Sequence, residues 1–184
     1  LLGNLGARFE VRRKPVFWHR TSGDLYREER GCPCFLFETR DGTFYGFPEI
    51  GGAGLKAAEH TGGEPVADPL AVDRTLREAD KVRIDAFLAG HLPGVTRECL
   101  RHSACMYTMT SDEHFVVDRH PASPRVVFAA GLSGHGFKFA GVLGEALAEM
   151  ALEGRTRLPV GFLARDRQGL RQSTLAEETR TQVL

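Results

Sequence analysis

A glycine-rich turn that joins a short apolar run to a helical pattern is the most informative feature of the sequence. Residues 125–130 are typical of a buried strand, and the next eight residues read Gly-Leu-Ser-Gly-His-Gly-Phe-Lys. The backbone N–H groups of this turn, the start of the following helix and the Lys138 ammonium could together bind a carboxylate or a phosphate. Glycines required only for packing explain the pattern equally well.

Two common catalytic motifs do not fit this turn. Gly131-Leu132-Ser133 begins like the nucleophile elbow of a serine hydrolase, but His135 occupies the position of that motif's final glycine. The sequence has no Walker A loop either.

Five further side chains could take part in chemistry. Cys105 lies in a predicted strand, where a cysteine is either a small buried hydrophobe or a nucleophile or covalent attachment point. Lys56 and His60 are four positions apart, so they share a face whether their segment is a helix or a strand. Each could be a solvated group or a source of positive charge in a site. Tyr45 and Tyr107 fit a core or a pocket wall.

The composition excludes several classes of function. The 184 residues are 42% hydrophobic and 26% charged with a net charge of zero, which indicates a globular protein. The lack of excess positive charge argues against nucleic acid or an anionic membrane as the main partner. No apolar run reaches the length of a membrane span, and no signal-peptide pattern is present. The four cysteines match no zinc spacing, so we predict no metal and a reducing, cytoplasmic setting.

Strands are predicted in the first part of the chain and strands and helices in the second. We predict strands over 16–18, 34–39 and 43–47, the last two joined as a hairpin at Asp41-Gly42. A helix within residues 68–93 is predicted, with Asp80 as its cap and with an apolar side formed by Val82, Ala86, Phe87 and Leu88. Strands over 98–110 and 115–118 follow, and a helix over 139–153 ends at Gly154.

Four of these segments closely resemble the monomeric sarcosine oxidase and N-methyltryptophan oxidase family of flavin-dependent amine oxidases. Residues 131–139 with Val142-Leu-Gly-Glu145 resemble its C-terminal signature. Residues 105–108 and 112–115 look like its covalent flavin segment, and 44–48 with 54–60 look like its substrate-domain hairpin and the segment after it. The motifs follow the family's order from near the start of the chain to about residue 165.

The resemblance implies a cofactor and the residues that hold it. FAD would be attached as an 8α-S-cysteinyl thioether through Cys105. The other cofactor-binding residues would be Gly134, His135, Gly136, Phe137 and Lys138, where the backbone of the turn would face the negative charge of the reduced ring.

The resemblance also implies the chemistry. The catalytic residues would be Lys56, His60 and His135, with Lys56 promoting the reaction of reduced flavin with O₂. The residues that bind a small amino acid substrate would be Tyr45, Tyr107 and Lys138. The reaction would convert the C–N bond of an N-methyl or other secondary amino acid to an imine, with H₂O₂ as the second product. Gly131-Leu132 and Ala140-Gly-Val-Leu143 look more like the N-methyltryptophan oxidase branch.

The implied fold class is α+β. Residues 1–110 would form a largely antiparallel substrate-binding sheet with helices, residues 111–165 the C-terminal strand and helix of an FAD-binding domain, and residues 166–184 a polar tail. The G-x-G-x-x-G unit with which the family begins has no counterpart here. The N-terminal FAD-binding half is therefore an expected partner, together with substrate and O₂.

Two other hypotheses stay open from the sequence. The chain could be an inactive remnant that serves as a binding module or complements a separate FAD-binding chain. It could also hold a metal at Cys32, Cys34 and nearby histidines, which metal analysis would test.

The absence of a dinucleotide-binding motif leads to a direct prediction. We expect the isolated chain neither to bind FAD tightly nor to turn over, because the surroundings of Cys105 would be incompletely buried. The measurement is the absorbance of the purified chain at ~450 nm, where bound flavin absorbs. Stoichiometric flavin on this chain alone would contradict it.

Overall fold

The computed structural model describes residue 5, residues 7–167 and residue 170. Its chain divides into two units, residues 12–106 and residues 1–11 together with 107–184. Most of the predicted polar tail lies outside the described residues. The domain boundaries implied by the resemblance stay predictions.

Runs of strands are followed by single α-helices, an α+β arrangement that confirms the predicted fold class. The strands are β1 (Glu10–Thr21), β2 (Phe35–Thr39), β3 (Gly42–Phe47), β4 (Leu55–Glu59), β5 (Glu64–Pro65), β6 (Val95–Met109), β7 (Val116–His120) and β8 (Ser123–Ala130). The α-helices are α1 (Glu78–His91) and α2 (Ala140–Glu153), and short 3₁₀ turns span Glu28–Arg30, Pro69–Ala71, Phe137–Phe139 and Gly161–Leu163.

Residues 12–106 form a sheet with one helix packed on it. β2 pairs with β3, β3 with β4, and both β4 and β5 with β1, all antiparallel, and β6 also pairs with β1. Phe44 of β3 stacks on Phe87 of α1 with ring centroids 4.4 Å apart. The rest of this core comes mainly from Phe17, Leu55, Ala57, Ile84 and Leu88. Because side chains alternate across a strand, residues 56 and 58 project from the opposite face.

The structure refines the predictions for this unit. The segment 55–60, which fitted a helix or a strand, contributes β4. The hairpin is confirmed, but Thr39 pairs with Gly42, so its two loop residues are Arg40 and Asp41, one position before the Asp-Gly pair.

The predicted cap of α1 is wrong. The N-cap is Arg77, and the Asp80 carboxylate accepts a hydrogen bond from the Arg77 backbone N–H at 3.2 Å as the third residue of the helix. Ala86 is exposed and Val82 is 66% exposed, so neither forms the predicted apolar side. The helix begins before Asp80, and its buried face is formed by Ile84, Phe87 and Leu88.

The second unit is built on the antiparallel pair β7 and β8. One face of the pair, with Phe115, Val117 and Ala129, packs against α2 and residues near 160. The other face, with Val116, Phe128 and Ala130, packs against Leu5, Ala7, Phe9 and Leu170. The strand predicted at residues 125–130 is therefore confirmed and is packed on both faces, although only Phe128 among these residues is fully buried. α2 ends as predicted at Gly154, which has a φ of 79°.

A buried ion pair ties α1 to β1. Arg13 is 3% exposed and Asp80 is 8% exposed. The guanidinium donates to Asp80 Oδ1 at 2.7 Å and Oδ2 at 2.9 Å, and to the carbonyls of Asp73 and Thr75 at 2.7 Å. Burial opposes ionisation of Asp80, but the hydrogen bonds from Arg13 and from the Arg77 N–H, together with the charges of both arginines, outweigh it and hold the pKa of Asp80 below its usual value.

We expect Asp80→Asn to lower the free energy of unfolding by about 3 kcal/mol or more, because Arg13 is then buried without a counter-charge. Urea denaturation measures the loss. The matched control is Glu98→Gln, which removes a pair between Arg20 and Glu98 that is more than half exposed. That change should cost less than about 1 kcal/mol. Equal losses in the two variants would contradict the prediction.

Candidate functional site

Lys56 lies between two aromatic side chains on the face of the sheet opposite α1. The strand register places it beside Trp18 of β1 and Phe47 of β3. Its Nζ is 5.2 Å from the centre of the Trp18 ring and 5.0 Å from that of Phe47, which is cation–π range. Among the described residues, Nζ has no hydrogen-bond or ion-pair partner. The two rings are thus the contacts of this charge in the described residues.

Tyr45 and His60 extend the same surface. Their ring centroids are 6.3 Å apart, and Tyr45 is 6.2 Å from Phe47. Within residues 12–106 the structure therefore brings together three of the predicted site residues, Tyr45, Lys56 and His60.

Cys105 is an exposed, unpaired thiol in β6. The preceding residue, Ala104, is buried, and its carbonyl accepts a hydrogen bond from Arg74 at 2.7 Å. Arg101 lies 4.6 Å from the centre of the Trp18 ring. Because Cys105 follows Arg101 by an even number of strand positions, it projects from the side of β6 that contacts Trp18. Its exposure favours the attachment hypothesis over that of a buried hydrophobe.

In the second unit, the glycine-rich turn is fixed to the end of β6. The Ser133 N–H donates to the Thr108 carbonyl at 2.9 Å, and the Thr110 N–H donates to Ser133 Oγ at 3.3 Å. Ser133 is 2% exposed and has a φ of 45°, so a non-glycine residue is held in the left-handed region. Gly134 has a φ of 78°, and a Cβ there would overlap the Tyr107 ring. Tyr107 and Gly134 are therefore in contact.

The turn leaves several backbone donors unused. The N–H groups of Ser133 and His135 bond to Thr108 and Leu132. Those of Gly134, Gly136 and Phe137 find no acceptor in the part of the chain that the structure describes. A row of free N–H groups just before a helix is a ready site for an anionic group. The turn thus has the donors that a negatively charged ring edge or a carboxylate requires.

His135 and Lys138 lie at the end of this row. The His135 ring is 4.8 Å from that of Phe115, and its Nε2 is 3.1 Å from the Glu113 carbonyl. Lys138 is exposed, and its Nζ donates to the His135 carbonyl at 3.1 Å. His135 also borders an apolar cavity of about 290 Å³ that Phe139, Val142 and Phe162 help to line.

Sequence reasoning missed three contributors to these surfaces. Trp18 and Phe47 become neighbours of Lys56 only through strand register, and Asp112 is paired with a residue 55 positions away. The single tryptophan of the chain, in an alternating run, was the one local signal available. Asp112 belongs to a family-like motif, but the motif gave it no role.

Asp112 holds the loop beside the turn. It accepts hydrogen bonds from Arg167 at 2.6 and 2.8 Å, from the His114 N–H at 3.2 Å and from Thr110 Oγ1 at 3.1 Å. These bonds, chiefly those from Arg167, lower the pKa of Asp112 to about 2. Thr110 also contacts Ser133, so the ion pair supports the turn indirectly.

Neither a metal cluster nor a membrane-spanning helix is seen in the described ranges. No group of three or more His, Cys, Asp or Glu side chains there could hold a metal ion. No described helix is long and apolar enough to cross a bilayer.

Comparison with known proteins identifies the class of the chain. Residues 9–150 match the model of the family described as FAD dependent oxidoreductase. The chain belongs to this family of FAD-dependent oxidoreductases, which confirms the resemblance seen in its motifs.

The chain is similar to two kinds of curated oxidase. It is 38% identical over 172 residues to monomeric sarcosine oxidase from Bacillus sp. (strain B-0618), an alignment that covers 92% of this chain and 44% of the relative. It is 42% identical over 141 residues to N-methyl-L-tryptophan oxidase from Yersinia pestis (strain Pestoides F). That alignment covers 76% of this chain and 37% of the relative. The chain thus spans less than half the length of these relatives.

Two solved structures share the fold. NikD, an unusual amino acid oxidase essential for nikkomycin biosynthesis, superposes with a TM-score of 0.68 at 21% identity over 90% of this chain and 44% of its own. A thermally stable mutant of fructosyl peptide oxidase superposes with a TM-score of 0.71 at 16% identity. The superposition covers 90% of this chain and 43% of the mutant.

We expect Asp112→Asn to reduce the acid sensitivity of the protein. Because the pKa of Asp112 is depressed to about 2, its stabilisation is complete above the unfolded-state pKa of ~4 and is lost as the pH falls through the folded value. Urea denaturation measures the free energy of unfolding, which falls as the pH is lowered from ~4 to ~2. That fall should be smaller in the variant than in the wild type by about 1 kcal/mol. The control is Asp24→Asn, whose exposed pair with Arg30 should contribute little. Superimposable pH profiles of wild type and Asp112→Asn would refute the prediction.

Proposed function

We propose that this chain forms the substrate-binding and oxygen-reacting part of an FAD-dependent oxidase of N-methyl or other secondary amino acids. The observation that carries the proposal is the Lys56 ammonium, which lies between two aromatic rings and has no carboxylate partner among the described residues. Tyr45 and His60 share its surface. The names of the relatives, sarcosine oxidase and N-methyl-L-tryptophan oxidase, support the substrate class.

The residues present suit an attached flavin. When bound, FAD supplies the two-electron oxidation of the substrate C–N bond and the reduction of O₂. The exposed Cys105 thiol would form the 8α-S-cysteinyl thioether. The N–H groups of Gly134, Gly136 and Phe137 would face the edge of the ring that gains negative charge, because they have no acceptor among the described residues.

The remaining residues would bind substrate and oxygen. The exposed Lys138 would pair with the substrate carboxylate, and Tyr45 and Tyr107 would form the pocket wall. His60 and His135 would line the amine side. Lys56 would stabilise the negative charge that develops on oxygen as O₂ is reduced, an effect that is large where water is excluded.

The overall reaction balances without a further reactant. An N-methyl amino acid, O₂ and water give the primary amino acid, formaldehyde and H₂O₂, because water releases the aldehyde from the imine. The partner required is the dinucleotide-binding half, for which the chain has no glycine-rich βαβ motif. The four free thiols, Cys32, Cys34, Cys99 and Cys105, support a reducing, cytoplasmic location.

The test is to join or co-express this chain with the dinucleotide-binding half of a sarcosine oxidase and to measure H₂O₂ from sarcosine and from N-methyltryptophan. We expect peroxide with at least one of them, and flavin that stays with this chain after denaturation. In the Lys56→Met variant, the reaction of reduced flavin with O₂ should slow by about 100-fold or more, because the stabilising charge is lost. Anaerobic reduction by substrate should persist.

The matched control is Lys81→Met, which removes an ammonium of α1 that pairs with Glu78. In the Lys81→Met variant, substrate oxidation and the reaction of reduced flavin with O₂ should both proceed at the wild-type rates. A complemented chain without flavin or peroxide would overturn the proposal and favour an inactive binding module.

A further inference from the structure

We propose that Trp18, together with Phe47, is a positioning residue for the Lys56 ammonium. The indole and the phenyl ring hold Nζ in one place on the sheet without supplying a negative charge. This inference rests on the role in oxygen reduction proposed above for Lys56.

The strand register builds the arrangement. Trp18 of β1 and Lys56 of β4 are direct cross-strand partners, and so are Lys56 and Phe47 of β3. Directly opposite residues of an antiparallel pair have Cβ atoms about 5 Å apart on the same face. The three side chains therefore stand in a row across three adjacent strands, with the lysine in the middle.

The distances show that the ammonium is held by both rings. Nζ is 5.2 Å from the centre of Trp18 and 5.0 Å from that of Phe47. A cation is attracted to the negative face of each ring, and tryptophan is the strongest such partner. A carboxylate would hold the ammonium too, but its charge would cancel the field needed at a developing oxygen anion.

Core packing does not account for Trp18. The hydrophobic clusters of the described residues include its neighbour Phe17, which faces α1, but include neither Trp18 nor Phe47. Arg101 of β6, 4.6 Å from the ring centre, contacts the same indole. Because both β4 and β6 pair with β1, the indole is fixed by a cation from each of two other strands.

The test is the rate at which each lysine of the folded chain is acetylated by acetic anhydride, followed by mass spectrometry. The chain has four lysines, Lys14, Lys56, Lys81 and Lys138. Trp18→Leu should raise the rate at Lys56 by about 2- to 5-fold, the factor that corresponds to one partly exposed cation–π contact. The Trp18→Phe variant keeps an aromatic face, so Lys56 should be acetylated in it at close to the wild-type rate.

Internal controls separate positioning from loosening of the fold. Lys14 is 3% exposed, so its labelling reports unfolding. The exposed Lys138 reports the strength of the reagent. Phe37→Leu is the matched control, because Phe37 packs on Phe87 on the other face of the sheet. It should leave Lys56 unchanged. An unchanged Lys56 rate in Trp18→Leu, or an equal rise at Lys14 or in Phe37→Leu, would overturn the proposal.

A second measurement does not depend on the folding of a Trp18 variant. Trp18 is the only tryptophan, so its indole N–H gives a single NMR resonance. Lys56→Met should move that resonance and Lys81→Met should not; an unmoved resonance in Lys56→Met would overturn the proposal. Neither measurement requires flavin or turnover. The positioning of Lys56 is therefore tested independently of the oxidase assay.

Discussion

The alternation of side chains across β1, β3 and β4 is the constraint on which the rest of the first unit depends. Phe17, Phe44 and Leu55 point to one face and form the core under α1, so the residues between them point to the other face. Lys56 and Trp18 are on that second face for this reason alone. A slip of one position in β1 or β4 would turn charged side chains toward the core, so burial of one face fixes the geometry of the other.

The charged side chains follow two different rules in this chain. Where a charge ties elements together it is fully partnered, as in Arg13 with Asp80 and Arg167 with Asp112. Lys14 is buried and donates to the Thr61 carbonyl at 2.6 Å, and its burial lowers its pKa to about 8, against the opposing effect of Glu59. Lys56 instead has aromatic neighbours. No counter-ion of Lys56 is seen among the described residues, so its charge is not neutralised there as the charge of a structural ion pair is.

The conformation of the glycine-rich turn in the second unit depends on two neighbouring residues. Gly134 is required because Tyr107 lies where its Cβ would be, and Ser133 is held in a left-handed conformation by hydrogen bonds to Thr108 and Thr110. In this conformation the N–H groups of Gly134, Gly136 and Phe137 have no acceptor among the described residues. The strain at Ser133 is offset by its burial and by these bonds.

The sequence by itself determined the local structure and the list of reactive groups. The Asp-Gly signal, the apolar run at 125–130 and the stop at Gly154 predicted a hairpin, a buried strand and a helix end, because these depend on neighbours in the chain. The motifs determined the family. Only the tertiary structure decided that residues 55–59 form a strand, that Asp80 is the third residue of its helix, and that Lys56 lies against Trp18. Strand register and ion pairs join residues tens of positions apart, so no local pattern encodes them.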